Sequence, residues 1–310
     1  MPAVRPATSE QSALLSELIR RRLLIESGVP GLYGRGEVFE GVRERFAAIV
    51  TRAAAPETPE RLSFPPILPR HDLERVGYLK SFPHLAGSVF AFEGTEAEAI
   101  EQYEQASRHE DWSEHQQMSE LVLTPAACYP VYPAIAARGR LARGGVTVDA
   151  GSGYVFRHEP SMDPARMQMF HQREIVRIGE PELVQAWRES WRERALQLLG
   201  AVGLEVSLDV ATDPFFGRSG RMLAASQREQ ELKFEVLAHI AGPEPTALAS
   251  FNYHQDHFAG AYGIELSDGT VAHTACLGFG LERITLALFS AHGFDPESWP
   301  GPVREELWRQ

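Results

Sequence analysis

Arg157 and Glu159 stand two residues apart at the end of a strand-like run, Tyr154-Val155-Phe156-Arg157-His158-Glu159. A turn containing Pro160, Asp163 and Pro164 leads into a second run, from about Met167 to Ile178. Side chains alternate faces along a strand, so Arg157 and Glu159 share one face, and Phe170, Gln172 and Glu174 share one on the returning run. If the two faces coincide, one surface carries a guanidinium, two carboxylates and a ring. That set suits a nucleotide, with guanidinium on phosphate, a carboxylate accepting from an adenine amino group and a ring beneath the base. A cross-strand Arg–Glu pair on a solvated face is the competing reading of the hairpin alone.

A second segment adds to the first. Val271 to Cys276 reads as a buried strand, Gly278-Phe279-Gly280 turns it, and an apolar helix (Ile284, Leu286, Leu288) starts near Leu281. Glycines at such a turn let backbone and ligand approach closely. Arg283, in the first helical turn, is expected to reach back towards the hairpin.

The elements that must position these residues follow from periodicity and punctuation. A helix is expected over 8–27, capped by Thr8 or Ser9, with Leu14, Leu15, Leu18, Ile19 and Leu23 in one stripe and Gly28 as its stop. A second helix fits 37–54, and the proline-rich stretch 56–70 reads as a connector. Thr95-Glu96-Ala97-Glu98 is a capping box opening a helix to about Arg108. Strand-like runs fall at 119–123, 146–150, 154–159, 168–178, 204–210, 231–239, 246–253 and 271–277, with helices at 181–202, 219–230 and 279–291. Few alternating βα units appear, so the expected fold is α+β, an antiparallel sheet flanked by helices. The expected organisation is an N-terminal helical segment over residues 1–60, with nothing catalytic in it, and a catalytic domain over 61–310.

The Arg157…Glu159…Phe170 hairpin and the Gly278–Arg283 turn resemble motifs 2 and 3 of class II aminoacyl-tRNA synthetases. More closely, the chain resembles the amino acid:carrier protein ligases, relatives of the zinc-dependent archaeal-type seryl-tRNA synthetase core. Thr124-Pro125-Ala126-Ala127-Cys128, Phe170-His171-Gln172-Arg173-Glu174, Ser250-Phe251-Asn252-Tyr253-His254-Gln255-Asp256-His257-Phe258 and Thr274-Ala275-Cys276 carry that likeness, which covers roughly residues 60–292. The best match to the motif 1 dimer element is Gly77-Tyr78-Leu79-Lys80-Ser81-Phe82-Pro83. The resemblance implies an ATP site in which Arg157 meets the α-phosphate, Glu159 the adenine amino group and Phe170 the base. Arg283 would cover the other face of the base and reach the γ-phosphate, and Arg166 would meet the outer phosphates.

The same resemblance implies that Cys128, Glu174 and Cys276 hold zinc. Two thiolates and a carboxylate suit Zn²⁺, and three protein ligands leave a fourth position open for a substrate amine. Taken alone, two cysteines in an intracellular chain read as small buried hydrophobes. Lys233 and Asn252 fall where the relatives bind the amino acid, Lys233 at its carboxylate; an ordinary strand lysine is the plainer reading of the former. Mg²⁺ is implied with ATP, but Thr246 stands where many seryl enzymes place a glutamate, so its ligands stay unassigned. Apart from His171 and His254, the histidines read as surface or hydrogen-bonding groups.

Net charge bears on the acceptor of the activated amino acid. With 30 Lys and Arg against 42 Asp and Glu, the formal charge is -12. Broad basic surface for a tRNA backbone is therefore disfavoured. The expected activity is ATP-dependent activation of glycine or alanine and transfer to the phosphopantetheine thiol of a carrier protein. The segment Arg218-Ser219-Gly220-Arg221 to Glu229 is the candidate docking helix, or else a plain solvated one. A minimal synthetase charging tRNA and a non-catalytic sensing module are the alternatives; the presence of Arg157 and Arg283 ranks the second of these last. The start of the chain lacks a signal-peptide core, and no apolar run approaches the roughly 20 residues of a membrane helix, so a cytoplasmic enzyme is expected. The resemblance implies a homodimer.

Overall fold

A computed structural model describes residues 4–309. In chain order the elements are α1 (Ser9–Arg20), β1 (Leu24–Glu26), β2 (Tyr33–Arg35), α2 (Glu37–Ala54), β3 (Glu60–Arg61), β4 (Ile67–Pro69), α3 (Arg70–Arg75) and α4 (Tyr78–Ser81). Then come β5 (Ser88–Phe92), α5 (Glu96–Ser107), β6 (Gln116–Leu123), α6 (Val131–Ala136), β7 (Val146–Phe156), β8 (Met169–Gly179) and α7 (Pro181–Ala201). The rest are β9 (Ser207–Val210), α8 (Gly217–Glu229), β10 (Lys233–Ala238), β11 (Thr246–Gln255), α9 (His257–Tyr262), β12 (His273–Gly280), α10 (Leu281–His292) and α11 (Gly301–Trp308).

Seven strands form the central sheet in the order β3-β7-β8-β12-β11-β10-β9. Every pairing is antiparallel except β3 with β7. The fold is α+β, as the strand spacing predicts. One face of the sheet meets a core that includes Leu18 of α1, Phe39 and Phe46 of α2, Trp191 of α7 and Leu286 of α10. The other face meets α3, α4, α6 and α9 through Leu73, Tyr78, Tyr132 and Phe258.

Strand alternation decides what each face receives. Leu277 and Phe279 of β12 pack with the first core, whereas Cys276 packs with the second. On β8, Ile175 goes to the first core and Val176 to the second. Glu174 and Gln172 share parity with Val176 and rise on the face opposite the long helices, whereas Phe170, of the same parity, packs against the first core.

Several boundaries differ from the sequence expectation: the 56–70 connector contains β3 and β4, and Gly278-Phe279-Gly280, expected as a turn, are the last residues of β12. The helix predicted to run to residue 27 ends at Arg20, and Leu24–Glu26 instead pair with Tyr33–Arg35. Leu23 and Leu24 are both buried, so a short strand there satisfies the same apolar stripe as another helical turn. The runs 146–150 and 154–159 are one strand ending at Phe156, bent by a bulge between Asp149 and Gly151.

Candidate active site

The sheet register lines up the floor of a cavity of about 500 Å³. Lys233 pairs with Asn252, and Asn252 with Cys276. One step along the same face, Glu235 pairs with Ser250, Ser250 with Gly278, and Gly278 with Glu174. A side chain at Gly278 would put a Cβ 2.7 Å from Gln172 Nε2. The missing side chain leaves room for Gln172, whose Oε1 accepts from the Ala127 N–H at 3.2 Å.

At one end of the cavity lie Cys128, Glu174 and Cys276, all buried, with one donor atom from each within 4.8 Å of the others. Glu174 is 1% exposed and accepts from the Cys128 backbone N–H at 2.7 Å. Among the described residues no lysine, arginine or histidine forms an ion pair with it. Burial pushes the Glu174 carboxyl and the Cys128 thiol above their ordinary values. Its hydrogen bond with Cys128, burial and the nearby carboxylate push Cys276 well above. A buried carboxylate beside two thiols is costly as a bare anion. A thiophilic divalent cation removes that cost, and the donor set fits zinc with an open fourth position.

Two groups flank this cluster. Asn252 Nδ2 and His254 Nε2 each lie 3.6 Å from Cys276 Sγ. Burial lowers His254 to about 3, so its ring is neutral. Tyr129 and Phe258 form the wall beside Cys128, and Tyr132 stacks on Phe258 with ring centroids 4.2 Å apart.

Beside the cavity lies a second, much smaller chamber of about 10 Å³ lined by Arg157, Glu159, Pro164, Ala165, Arg166, Met167, Phe170, Glu282 and Arg283. Arg157, Phe170 and Arg283 line both spaces. The Arg157 guanidinium sits 5.6 Å from the Phe170 ring centroid. Arg283 donates to the Ala165 carbonyl at 2.8 Å and the Ala247 carbonyl at 3.0 Å, which fixes its direction. Burial, then Arg166 and Arg157, lower Arg283 to about 10. Three cations crowded at one chamber make a site for a polyanion.

All ten residues singled out in the sequence therefore line one or other of two adjoining spaces, Glu159 and Arg166 only the smaller. Lys233 stands in the wall of the larger, with its ammonium 2.7 Å from Asp213 and 3.0 Å from Glu235. Those two carboxylates were not anticipated. Glu235 alternates with Lys233 on one strand face, a readable signal, but Asp213 comes from the loop before α8 and has none. Gly77–Pro83, the motif 1 match, forms α4 and its flanks, and Gly77, Tyr78, Ser81 and Phe82 line the cavity. Thr246 opens β11 opposite Ala238, away from the cavity lining.

The fold and this site define a domain of the class II aminoacyl-tRNA synthetase kind. The Methanopyrus kandleri seryl-tRNA synthetase, solved in complex with a tRNA, superposes with a TM-score of 0.79 at 23% identity, over 95% of this chain and 60% of its own. Giardia lamblia prolyl-tRNA synthetase, solved with prolyl-adenylate, gives a TM-score of 0.66 at 11% identity, over 90% of this chain and 52% of its own. No protein-family model matches the chain. Among curated proteins, amino acid–acyl-carrier-protein ligase 1 of Bradyrhizobium diazoefficiens is 43% identical over 306 residues, covering 98% of this chain and 93% of the relative. Ligase 2 of the same organism is 46% identical over 286 residues, covering 92% and 85%. The type-2 serine–tRNA ligase of Methanopyrus kandleri is 31% identical over 202 residues, covering 60% of this chain and 37% of that enzyme. The chain belongs to the amino acid–acyl-carrier-protein ligase family.

Proposed function

We propose that this protein activates glycine or alanine with ATP and transfers it to the phosphopantetheine thiol of a carrier protein. The amino acid carboxylate attacks the α-phosphorus, and pyrophosphate leaves. The carrier thiol then attacks the carbonyl carbon of the adenylate, gives up its proton and displaces AMP. No protein nucleophile is needed, so catalysis is positioning and charge stabilisation.

The arrangement of the cavity supports this reading most directly. Two thiols and a carboxylate suited to a metal line the cavity together with Arg157 and Arg283, and Arg166 lines the small space adjoining it. Cys128, Glu174 and Cys276 would hold zinc, which when bound would take the neutral amine of the substrate as its fourth ligand. Asn252 and His254 buttress Cys276. Phe170 and Glu159 receive the adenine, Arg157 the α-phosphate, and Arg166 and Arg283 the outer phosphates, which bring Mg²⁺ with them. The aromatic wall of Tyr129 and Phe258, backed by Tyr132, supports a small side chain on the substrate.

The acceptor is argued from kinship and from α8. Arg218, Arg221 and Arg228 are exposed along this helix, with Phe216 and Met222 also outward. Leu223, Ser226 and Gln227 of the same helix line the cavity. A carrier docked on α8 would thus stand at the mouth of the site. The test is transfer of labelled glycine and alanine, with ATP and Mg²⁺, to holo carrier, apo carrier and total tRNA in parallel. Label on the holo carrier alone is the expected result; label on tRNA, or best activity with serine or a larger amino acid, overturns the corresponding part.

A further inference from the structure

The geometry points to Arg35, in the N-terminal hairpin, as a positioning residue for the ATP-binding arms, an inference that rests on the nucleotide reading of the chamber. Arg35 is almost wholly buried, and its Nη1 lies 3.1 Å from Glu282 Oε1. Glu282 is 2% exposed. The same carboxylate accepts from the His171 backbone N–H at 2.7 Å and meets His171 Nδ1 at 2.8 Å. It therefore ties the first turn of α10, which carries Arg283, to the residue beside Phe170 on β8. A carboxylate this buried holds such a geometry only while a cation faces it, because an unpaired charge in the interior is heavily penalised.

Arg35 itself is fixed from three sides. Its Nε donates to Glu40 at 2.6 Å, its Nη2 donates to the Tyr154 hydroxyl at 2.6 Å, and its guanidinium lies 5.3 Å from the Tyr154 ring centroid. A planar fork uses all these directions at once, and an ammonium cannot. Tyr154 in turn packs on His171, with ring centroids 3.8 Å apart.

A second contact of the same hairpin reaches the other arm. The Pro30 carbonyl accepts from Gln168 Nε2 at 2.8 Å, and the Gly31 carbonyl from the Gln168 N–H at 2.7 Å. The Gln168 carbonyl then accepts from the Arg157 N–H at 2.8 Å. Gly31 has φ +77°, and an added Cβ would meet the Arg166 carbonyl oxygen at 3.2 Å. One hairpin thus holds Arg157 through Gln168, and Arg283 and Phe170 through Glu282. Neither Arg35 nor Gly31 lines the cavity, so neither touches substrate.

The experiment compares the wild-type chain with Arg35→Met and Arg35→Lys, using ATP titration by calorimetry and amino acid-dependent pyrophosphate exchange. In Arg35→Met, ATP affinity and KM for ATP should worsen about ten- to a hundredfold, the effect of small misplacement at a phosphate clamp. KM for the amino acid and bound zinc should stay at wild-type values, and Arg35→Lys should recover only part of the loss. Equal changes in both KM values, or unchanged ATP affinity in a folded variant, overturn the proposal. If Arg35→Met does not fold, Arg35→Lys carries the same criterion. Failure of the wider reading looks different: wild-type protein then binds ATP but shows no exchange with any amino acid.

Discussion

Lys233 and Asp213 form an ion pair of 2.7 Å that joins the floor of the cavity to the loop leading into α8. Gln227 of α8 holds the other side of Asp213, donating to its carboxylate at 2.8 Å and accepting from its N–H at 2.7 Å. Glu235 takes a second position on the ammonium at 3.0 Å. An ammonium has three donors, so one remains for a substrate carboxylate.

Asp213→Asn should free Lys233 and loosen the α8 end of the cavity together. The expected result is a several-fold rise in KM for the amino acid, with KM for ATP unchanged, measured by pyrophosphate exchange. The pair also predicts a pH response. Burial opposes the Asp213 charge, but Lys233 and Gln227 outweigh it and hold the carboxyl below its ordinary value. Burial likewise opposes the Lys233 charge, and Asp213 with Glu235 outweighs it, raising the amine. The acid contribution to stability is therefore complete above the ordinary aspartate range and lost as pH falls through the lowered value. The lysine contribution is complete below the ordinary lysine range and lost as pH rises through the raised one. Asp213→Asn should flatten the acid limb of a melting-temperature profile, and an unchanged limb would remove the pair from that role.

The zinc assignment carries its own pH dependence. Both thiols are raised above the ordinary cysteine value, Cys128 mainly by burial and Cys276 mainly by its bond with Cys128. Metal-free protein near neutrality thus keeps both protonated. Loading zinc should release about two protons, and affinity should rise steeply with pH. Competition against a chelator at two pH values measures this directly. Cys276→Ser should abolish stoichiometric zinc, whereas zinc retained at full occupancy would place the metal elsewhere.

Much of this site was legible because strand alternation is strict. Gln172 and Glu174 sit on one face by parity alone, and the glycine at 278 marks where β12 must be bare. What escaped the sequence depends on long-range packing. Arg35 sits 247 positions before Glu282, in a strand of three residues that falls between the two helices expected over 8–27 and 37–54. Asp213 lies in a loop, where no periodicity constrains the direction of a side chain. Residues 1–60 read as a helical segment with nothing catalytic in it, because they carry no motif residues. Yet Leu18, Phe39 and Phe46 share one core with the site-bearing sheet.

Arg283 offers a test of the chamber as an anion site. Its lowering to about 10 reports the strain of a buried cation beside Arg166 and Arg157, though it remains charged at neutrality. Pyrophosphate should relieve that repulsion, raising the melting temperature, and salt should weaken the effect. In Arg283→Ala the rise should shrink, and pyrophosphate exchange should fall about a hundred- to a thousandfold, the usual loss when one preorganised charge partner is removed. An Arg283→Ala protein with normal exchange would sever the chamber from the chemistry.

Charge on α8 separates the two half-reactions. Arg218, Arg221 and Arg228 are exposed on this helix, in a chain whose overall balance is acidic. None of the three lines the cavity, so reversing them to glutamate should leave adenylate formation within about twofold of wild type, as rim charges act mainly on encounter. Transfer to the carrier should behave differently. Its KM should rise about ten- to a hundredfold at low salt, because electrostatic complementarity governs association more than the bound state does. Raising the salt should then slow the wild-type transfer towards the variant while leaving the variant nearly unmoved. If the triple variant transfers normally at low salt, the carrier does not dock on α8. Its arm would then have to enter the cavity from another side, such as past α4, whose residues also line it.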